Sequence, residues 1–313
     1  SLRLGQRLRE LGRYEEAAKT QMHVSRILEE TQAAPGEQSQ RFAFVMGQST
    51  HELGVARRLQ GQVTAAVDLQ LSLVEKILAL VEKGAATFED RRLLAFAYTE
   101  LGEMVTAMAG PQEGLEAHGQ AVMLLKSLLT EQSTDEAARY HLARNYGELA
   151  AYDRDAGLKD DGLRKQQIAA GIMETLIQET PAGRRSSQLF RLEYADQKTS
   201  LAEFLGDAKK YDAAVASGLA ALEILEAIMI ERPADQKMEE VRTGVGLIMA
   251  RVLGILGQNH ERLGDKAVAK DYFSRSINVW KALSAAGEES RIPAEEIERG
   301  LSWSENRLEK LRK

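Results

Sequence analysis

The sequence has no cysteine, which excludes disulfide staples, thiolate catalysis and cysteine-ligated metal sites together. Aromatics make up only 5% of it and are not interleaved with its basic pairs, so it offers no stacking platform for single-stranded nucleic acid. Positive charge is not in excess either. The 41 Lys and Arg stand against 47 Asp and Glu, and a net charge of -6 gives no general attraction to phosphate backbones or anionic lipid. No long hydrophobic run catches the eye: the most apolar stretch, residues 244–257, carries Arg251 in its middle and falls short of the roughly 20 residues a spanning helix needs. Neither nucleic acid nor membrane insertion is therefore expected. With 44% hydrophobic residues the chain still has ample material for a folded core.

What is present is a repeat. Leu4-Gly5 is followed by Gly12, Leu53-Gly54 by Gly61, Leu101-Gly102 by Gly110, and Leu256-Gly257 by Gly264. Two degenerate copies fit the same ruler, Leu149-Ala150 with Gly157 and Leu201-Ala202 with Lys209. Shortly after the second marker comes an apolar residue and then a small one, as in Tyr14 with Ala17, Val63 with Ala66 and Tyr211 with Ala214. A small residue lets two helices approach closely, and a glycine in the left-handed conformation ends the first helix so that the next folds back. Flanking periodicity agrees. Val63, Val67, Leu71, Val74, Leu78 and Val81 keep helical spacing, with Ala66, Leu69, Leu73, Ile77 and Leu80 as a second stripe, as a helix held between two neighbours requires.

Proline inside a helix costs about 3 kcal/mol, so prolines mark boundaries. Pro35, Pro181 and Pro233 fall between units, Pro111 at a turn within one, and Pro293 at the start of the last helix. Alternation of period two is absent, and the chain reads as all-α. The expected organisation is one solenoid with units 1–35, 36–85, 86–132, 133–181, 182–233 and 234–288 and a capping helix over 293–312. On that cap Ile297, Leu301, Ser304 and Leu308 form the inner stripe, and Trp280 and Trp303 are expected to meet there.

These units resemble tetratricopeptide repeats, most closely in Leu4-Gly5-Gly12-Tyr14-Ala17 and Leu256-Gly257-Gly264-Ala269-Phe273. The resemblance spans nearly the whole chain, with one departure: successive units start 48 to 55 residues apart, against about 34 in the standard repeat. Each helix must be longer by one or two turns. Long units of this kind are similar to the arrays attached to some bacterial serine/threonine kinases, with Ala221-Leu222-Glu223-Ile224-Leu225 and residues 276–283 resembling their second-helix ending. No kinase motif lies in the chain. The resemblance implies a right-handed α-solenoid whose concave wall is lined by the first helix of each unit.

Enzymatic constellations are not found. The histidines His23, His51, His118, His141 and His260 include no pair one helical turn apart with Glu between, so a zinc site is not expected. The run from Asp153 to Gly162 lacks the Gly and Glu of a calcium loop and reads as a polar turn, and Gly244-Val245-Gly246 lacks a third Gly and reads as a close helix approach. The basic pairs Arg57-Arg58, Arg91-Arg92 and Arg184-Arg185 read as solvated helix ends. No cofactor is expected, and the chain is read as a non-enzyme.

Counting from the Leu-Gly marker, the resemblance places Gln48, His51, Arg58, Phe96, Thr99, Glu103, Arg144, Arg154, Asp196, Glu203, Arg251 and Gln258 on the concave wall. The wall is mixed in charge and lacks the Lys and Asn set with which the family clamps chaperone tails. Arg144, Arg154 and Arg251 are expected to orient acidic groups of a partner, and Glu103 and Glu203 basic ones. Function is thus read as a protein or peptide interaction module within a larger bacterial signalling protein; a sensor array that binds a small ligand and controls an attached effector is the alternative. The chain opens in what reads as mid-helix, so it is taken as a piece of a longer protein. Self-association is anticipated through Leu2, Leu4, Leu8 and Leu11, and the cytoplasm is the expected compartment.

Overall fold

The computed structural model describes residues 8, 13–30, 37–181, 185–230, 239–287 and 292–312. Leu2, Leu4, Gly5, Leu11, Gly12, Pro35, Arg184 and Pro233, on which several expectations rest, lie outside them. The described residues form helices and no strands: α1 (Tyr14–Glu30), α2 (Glu37–Leu59), α3 (Val63–Glu82), α4 (Phe88–Ala109), α5 (Pro111–Glu131), α6 (Glu136–Asp155), α7 (Lys159–Glu179), α8 (Arg185–Asp207), α9 (Tyr211–Ile230), α10 (Glu239–Leu263), α11 (Lys266–Ala285) and α12 (Ala294–Arg312). At about 1.5 Å per residue, helices of 20 to 25 residues, as most of these are, run five turns or more, which accounts for the long repeat. Two compact units divide within α6, residues 1–152 and 153–313.

The turn between paired helices follows one rule. Gly61, Gly157 and Gly264 sit at φ of 76°, 82° and 90°, and Lys209 occupies the same place at φ 58°. Gln62, Leu158, Lys210 and Asp265, each one residue later, donate their N–H to the carbonyl five residues back, of Arg57, Asp153, Leu205 and His260. Arg13 does the same to Leu8. This closure satisfies carbonyls that the helix end would otherwise strand. At Gly110 it cannot form, because Pro111 has no N–H to give; α5 starts directly on that proline.

In the first unit α1 packs on α2, α2 on α3, α3 on α4, and α4 on α5, and α2 also touches α4. Within the second unit α7 packs on α8, α8 on α9, α9 on α10, α10 on α11 and α11 on α12, with α8 on α10 and α10 on α12 besides. Alternate contacts of this sort place the first helices of successive pairs in one layer. Buried alanines Ala17, Ala66, Ala214 and Ala269 mark the close approach. Gly54, Gly102 and Gly257 face the residue sixteen positions later, and a Cβ at each would meet Gln70, His118 and Phe273 at 2.6, 2.7 and 3.0 Å.

The cores are apolar between these contacts. Leu73, Val74 and Ile77 of α3 meet Leu93, Leu94 and Ala97 of α4, while Ala221, Leu222, Leu225 and Ile228 of α9 pack with Ala195 of α8 and Val245, Ile248, Val252, Leu253 and Leu256 of α10. Among the described residues one helix is long and apolar enough, by length and composition, to span a bilayer: α9, Tyr211–Ile230, of mean hydropathy 1.9, and not the shorter stretch 244–257 that stands out as most apolar in the sequence. Its Ala221, Leu222, Leu225 and Ile228 lie in the core just described, while Leu219, Met229 and Ile230 are exposed.

Buried polar pairs cross from the second helix of one pair to the first of the next. Ser49 donates to the Gln21 carbonyl at 3.1 Å, His118 Nδ1 and Asn145 Oδ1 lie 2.8 Å apart, Gln166 donates to Gln197 at 2.7 Å, and Ser276 and Ser304 share a bond of 3.2 Å. Unsatisfied partners of such buried groups would cost about 1–3 kcal/mol each, so the pairs fix which helix stacks where. On the cap, Ile297, Ser304, Leu308 and Leu311 are buried. Trp280 lies against Gly300, whereas Trp303 stands edge-on to Phe273 at 5.8 Å and against Gly254, so each indole has its own partners.

Candidate functional site

In the first unit the expected wall residues come together on α2, α4 and α6. Arg58 of α2 places Nε 3.0 Å from Glu100 Oε2, while Arg144 of α6 places Nη2 2.5 Å from Glu103 Oε1 and Nη1 4.0 Å from Glu100 Oε1. Two carboxylates three residues apart on α4 thus share Arg144. Glu100 and Glu103 are 6% and 14% exposed. Burial works to raise the Glu100 carboxyl, yet Arg58 and Arg144 outweigh it and hold the group below the usual range. For Glu103 burial wins over Arg144, Glu100 adds to it, and the carboxyl is pushed up to about 7.

Beside this cluster runs an aromatic ladder. Phe96 stacks on His141 with centroids 4.1 Å apart, His141 meets Tyr140 edge-on, and the guanidiniums of Arg92 and Arg144 lie over Phe96 and Tyr140 at 5.1 and 5.5 Å. Burial first, then Arg144, push the His141 imidazole down to about 3, which keeps it neutral. His51 sits at 3.2 Å from Gln70 Oε1 through Nδ1. Thr99 is fully buried: it donates to the Ala95 carbonyl and accepts from Asn145 at 2.8 Å. It holds the stack together and is removed from any surface. Gln48 is half-buried on α2.

In the second unit Arg154, at the end of α6, pairs with Glu203 at 2.9 Å and lies over Phe204 at 5.2 Å, and Arg251 of α10 pairs with Asp196 of α8 at 2.9 Å. The Arg251 and Asp196 side chains keep 35% and 36% exposure. Burial opposes the Arg251 charge, but Asp196, Glu203 and Glu296 outweigh it and raise the group further, so the cation is fixed. Gln258 is half-buried two turns along α10. Trp303, 40% exposed, lies against Gly254, one turn beyond Arg251.

Arg58, Arg144, Arg154 and Arg251 are therefore already paired within their own units, not standing free for a partner. The basic pair Arg91-Arg92 is engaged likewise: Arg91 meets Glu131 at 2.6 Å and Arg92 meets Asp135 at 2.7 Å. Sequence reasoning missed Glu100, His141 and Asn145, which organise this cluster. A signal existed for one of them. Ser49, Asn145 and Gln197 each stand four residues before the Leu marker, a polar residue on an otherwise apolar helical face. Glu100 beside Leu101 gave none, because its role depends on Arg58 and Arg144 arriving from other helices.

No group of His, Asp and Glu suited to a metal ion occurs among the described residues. No family model matches the sequence, and no curated protein matches it. Among solved structures the chain is similar to BtubC (BKLC) from P. vanneervenii, with a TM-score of 0.58 and 14% identity over 88% of this chain and 92% of that one. It also matches a Podosopora anserina putative kinesin light chain with nearly identical TPR-like repeats, at a TM-score of 0.40, 21% identity, 74% of this chain and 95% of that one. The TPR2AB-domain:pHSP90 complex of yeast Sti1 matches at 0.28, 12% identity, 96% and 95%. The last two superpositions are too loose to carry an argument. With the helix pairs and their Leu-Gly turns, the first establishes the fold: the chain is an all-α, tetratricopeptide-like helical-repeat array.

Proposed function

We propose that the array is a non-enzymatic protein or peptide interaction module, acting in the cytoplasm, whose first-helix layer carries the binding wall. The observation that carries this reading is the second-unit wall, where Arg251, Asp196 and the Trp303 indole are all about one-third exposed or more on neighbouring helices. Arginine and tryptophan anchors of that kind supply most of the affinity at protein interfaces, with charge pairs setting orientation. Because Arg251 is held by Asp196, a partner acid has to share or replace that carboxylate, and a partner base would approach Asp196 or Glu203 instead.

The test is a display library of random peptides panned on the purified chain. Peptides should enrich on it, and the double variant Arg251→Gln/Trp303→Ala should lose them by at least about tenfold while keeping the parent's far-ultraviolet circular dichroism. Equal retention by parent and variant would refute this wall.

A further inference from the structure

We infer that the α4–α6 junction of the first unit is a proton-responsive joint, in which Glu103 gains or loses a proton and so sets the charge that Arg144 presents on the wall. The geometry is unequal in a way that selects Glu103. Glu100 lies 3.0 Å from Arg58 and 4.0 Å from Arg144, and so keeps two cations. Glu103 has Arg144 alone at short range, 2.5 Å away. Both carboxylates are nearly buried, where like charges repel strongly, so the one with the weaker cationic support gives way.

The groups acting most on this pair are Arg58 and His51 of α2, and His141, Arg144 and Glu148 of α6, while His118 of α5, pushed down by burial, lies against Gly102 beside them. Glu148 adds to the repulsion on Glu103, while Arg58 opposes it. His141, pushed down to about 3, cannot compete for a proton near neutrality. Burial carries the Glu103 carboxyl up to about 7, within reach of ordinary pH changes. Protonation removes one negative charge from beside Arg144, which then favours an acidic group. That consequence rests on the interaction reading above; the titration itself does not.

Carbon-13 detection of the glutamate side-chain carboxyls of the full chain across about pH 4 to 9 tests it. One resonance should titrate near neutrality, about two and a half pH units above an exposed glutamate, and be missing in Glu103→Gln. A spectrum in which every glutamate titrates below about pH 5.5 overturns the inference without any variant. Stability gives a second readout. A raised value means that ionisation penalises the folded chain, so stability falls as pH rises from the ordinary 4.5 to about 7. His141 works in the opposite sense, gaining stability from about 3 to 6.5, but does so in both proteins. The urea midpoint of Glu103→Gln should therefore gain on the parent between about pH 4.5 and 7, and a constant gap would contradict the joint. If peptide capture fails while the carboxyl still titrates near neutrality, only the interaction reading falls.

Discussion

Adding one methyl group at Gly102 probes the close approach on which each helix pair depends. A Cβ there would lie 2.7–2.8 Å from three atoms of the His118 ring, well inside contact distance. That ring is buried and its Nδ1 is tied to Asn145 at 2.8 Å, so it cannot swing aside without giving up the bond that joins this pair to α6. Overpacking costs about 1–3 kcal/mol and the lost bond about 1. Replacing glycine inside a helix returns about 1 kcal/mol of propensity. The net expectation for Gly102→Ala is a loss of about 2 kcal/mol. Gly171, in the middle of α7, is the control: a Cβ there meets nothing within 4 Å, so Gly171→Ala should gain up to about 1 kcal/mol. Urea denaturation of the three proteins measures both, and hydrogen exchange should localise the loss to α4 and α5. A Gly102→Ala chain as stable as its parent would refute the packing argument.

Two further substitutions test local rules. Lys209 occupies the left-handed conformation at φ 58° where the other turns use glycine, so Lys209→Gly should raise stability by about 0.5–1 kcal/mol, the relief of backbone strain exceeding the added chain entropy; a lower urea midpoint would count against this. Thr87 caps α4 reciprocally with Asp90, accepting from the Asp90 N–H at 3.1 Å while its own N–H donates back at 2.9 Å. Thr87→Ala should cost about 1 kcal/mol, read as a lower melting temperature and faster exchange in the first turn of α4.

Much of the architecture is local in origin and was therefore legible. The Leu-Gly marker, the turn position seven residues on and the following alanine specify a helix end, a left-handed residue and a close approach, each within a short span. Even the degenerate copy ending at Lys209 adopts that turn, because the five-back closure from Lys210 holds it. The prolines Pro111 and Pro293 fall at helix starts for the same local reason.

The candidate site was only half legible. Periodicity could say that Arg58, Glu103, Arg144, Arg154 and Arg251 lie on first helices, but not what meets them there. Whether a guanidinium is free or paired depends on the carboxylates other helices bring within a few ångströms, as Glu100 does for Arg58 and Asp196 does for Arg251 across 55 residues of sequence. The same holds for Thr99, whose place on α4 was readable but whose burial beneath Asn145 was not. The sequence by itself determined the helices, their turns and their pairing, because those follow from backbone and near-neighbour sterics. Only the tertiary structure decided which charges are neutralised, which carboxyl is pushed toward neutrality and which indole stays exposed, since desolvation and Coulomb interaction are set by distances between residues far apart in the chain.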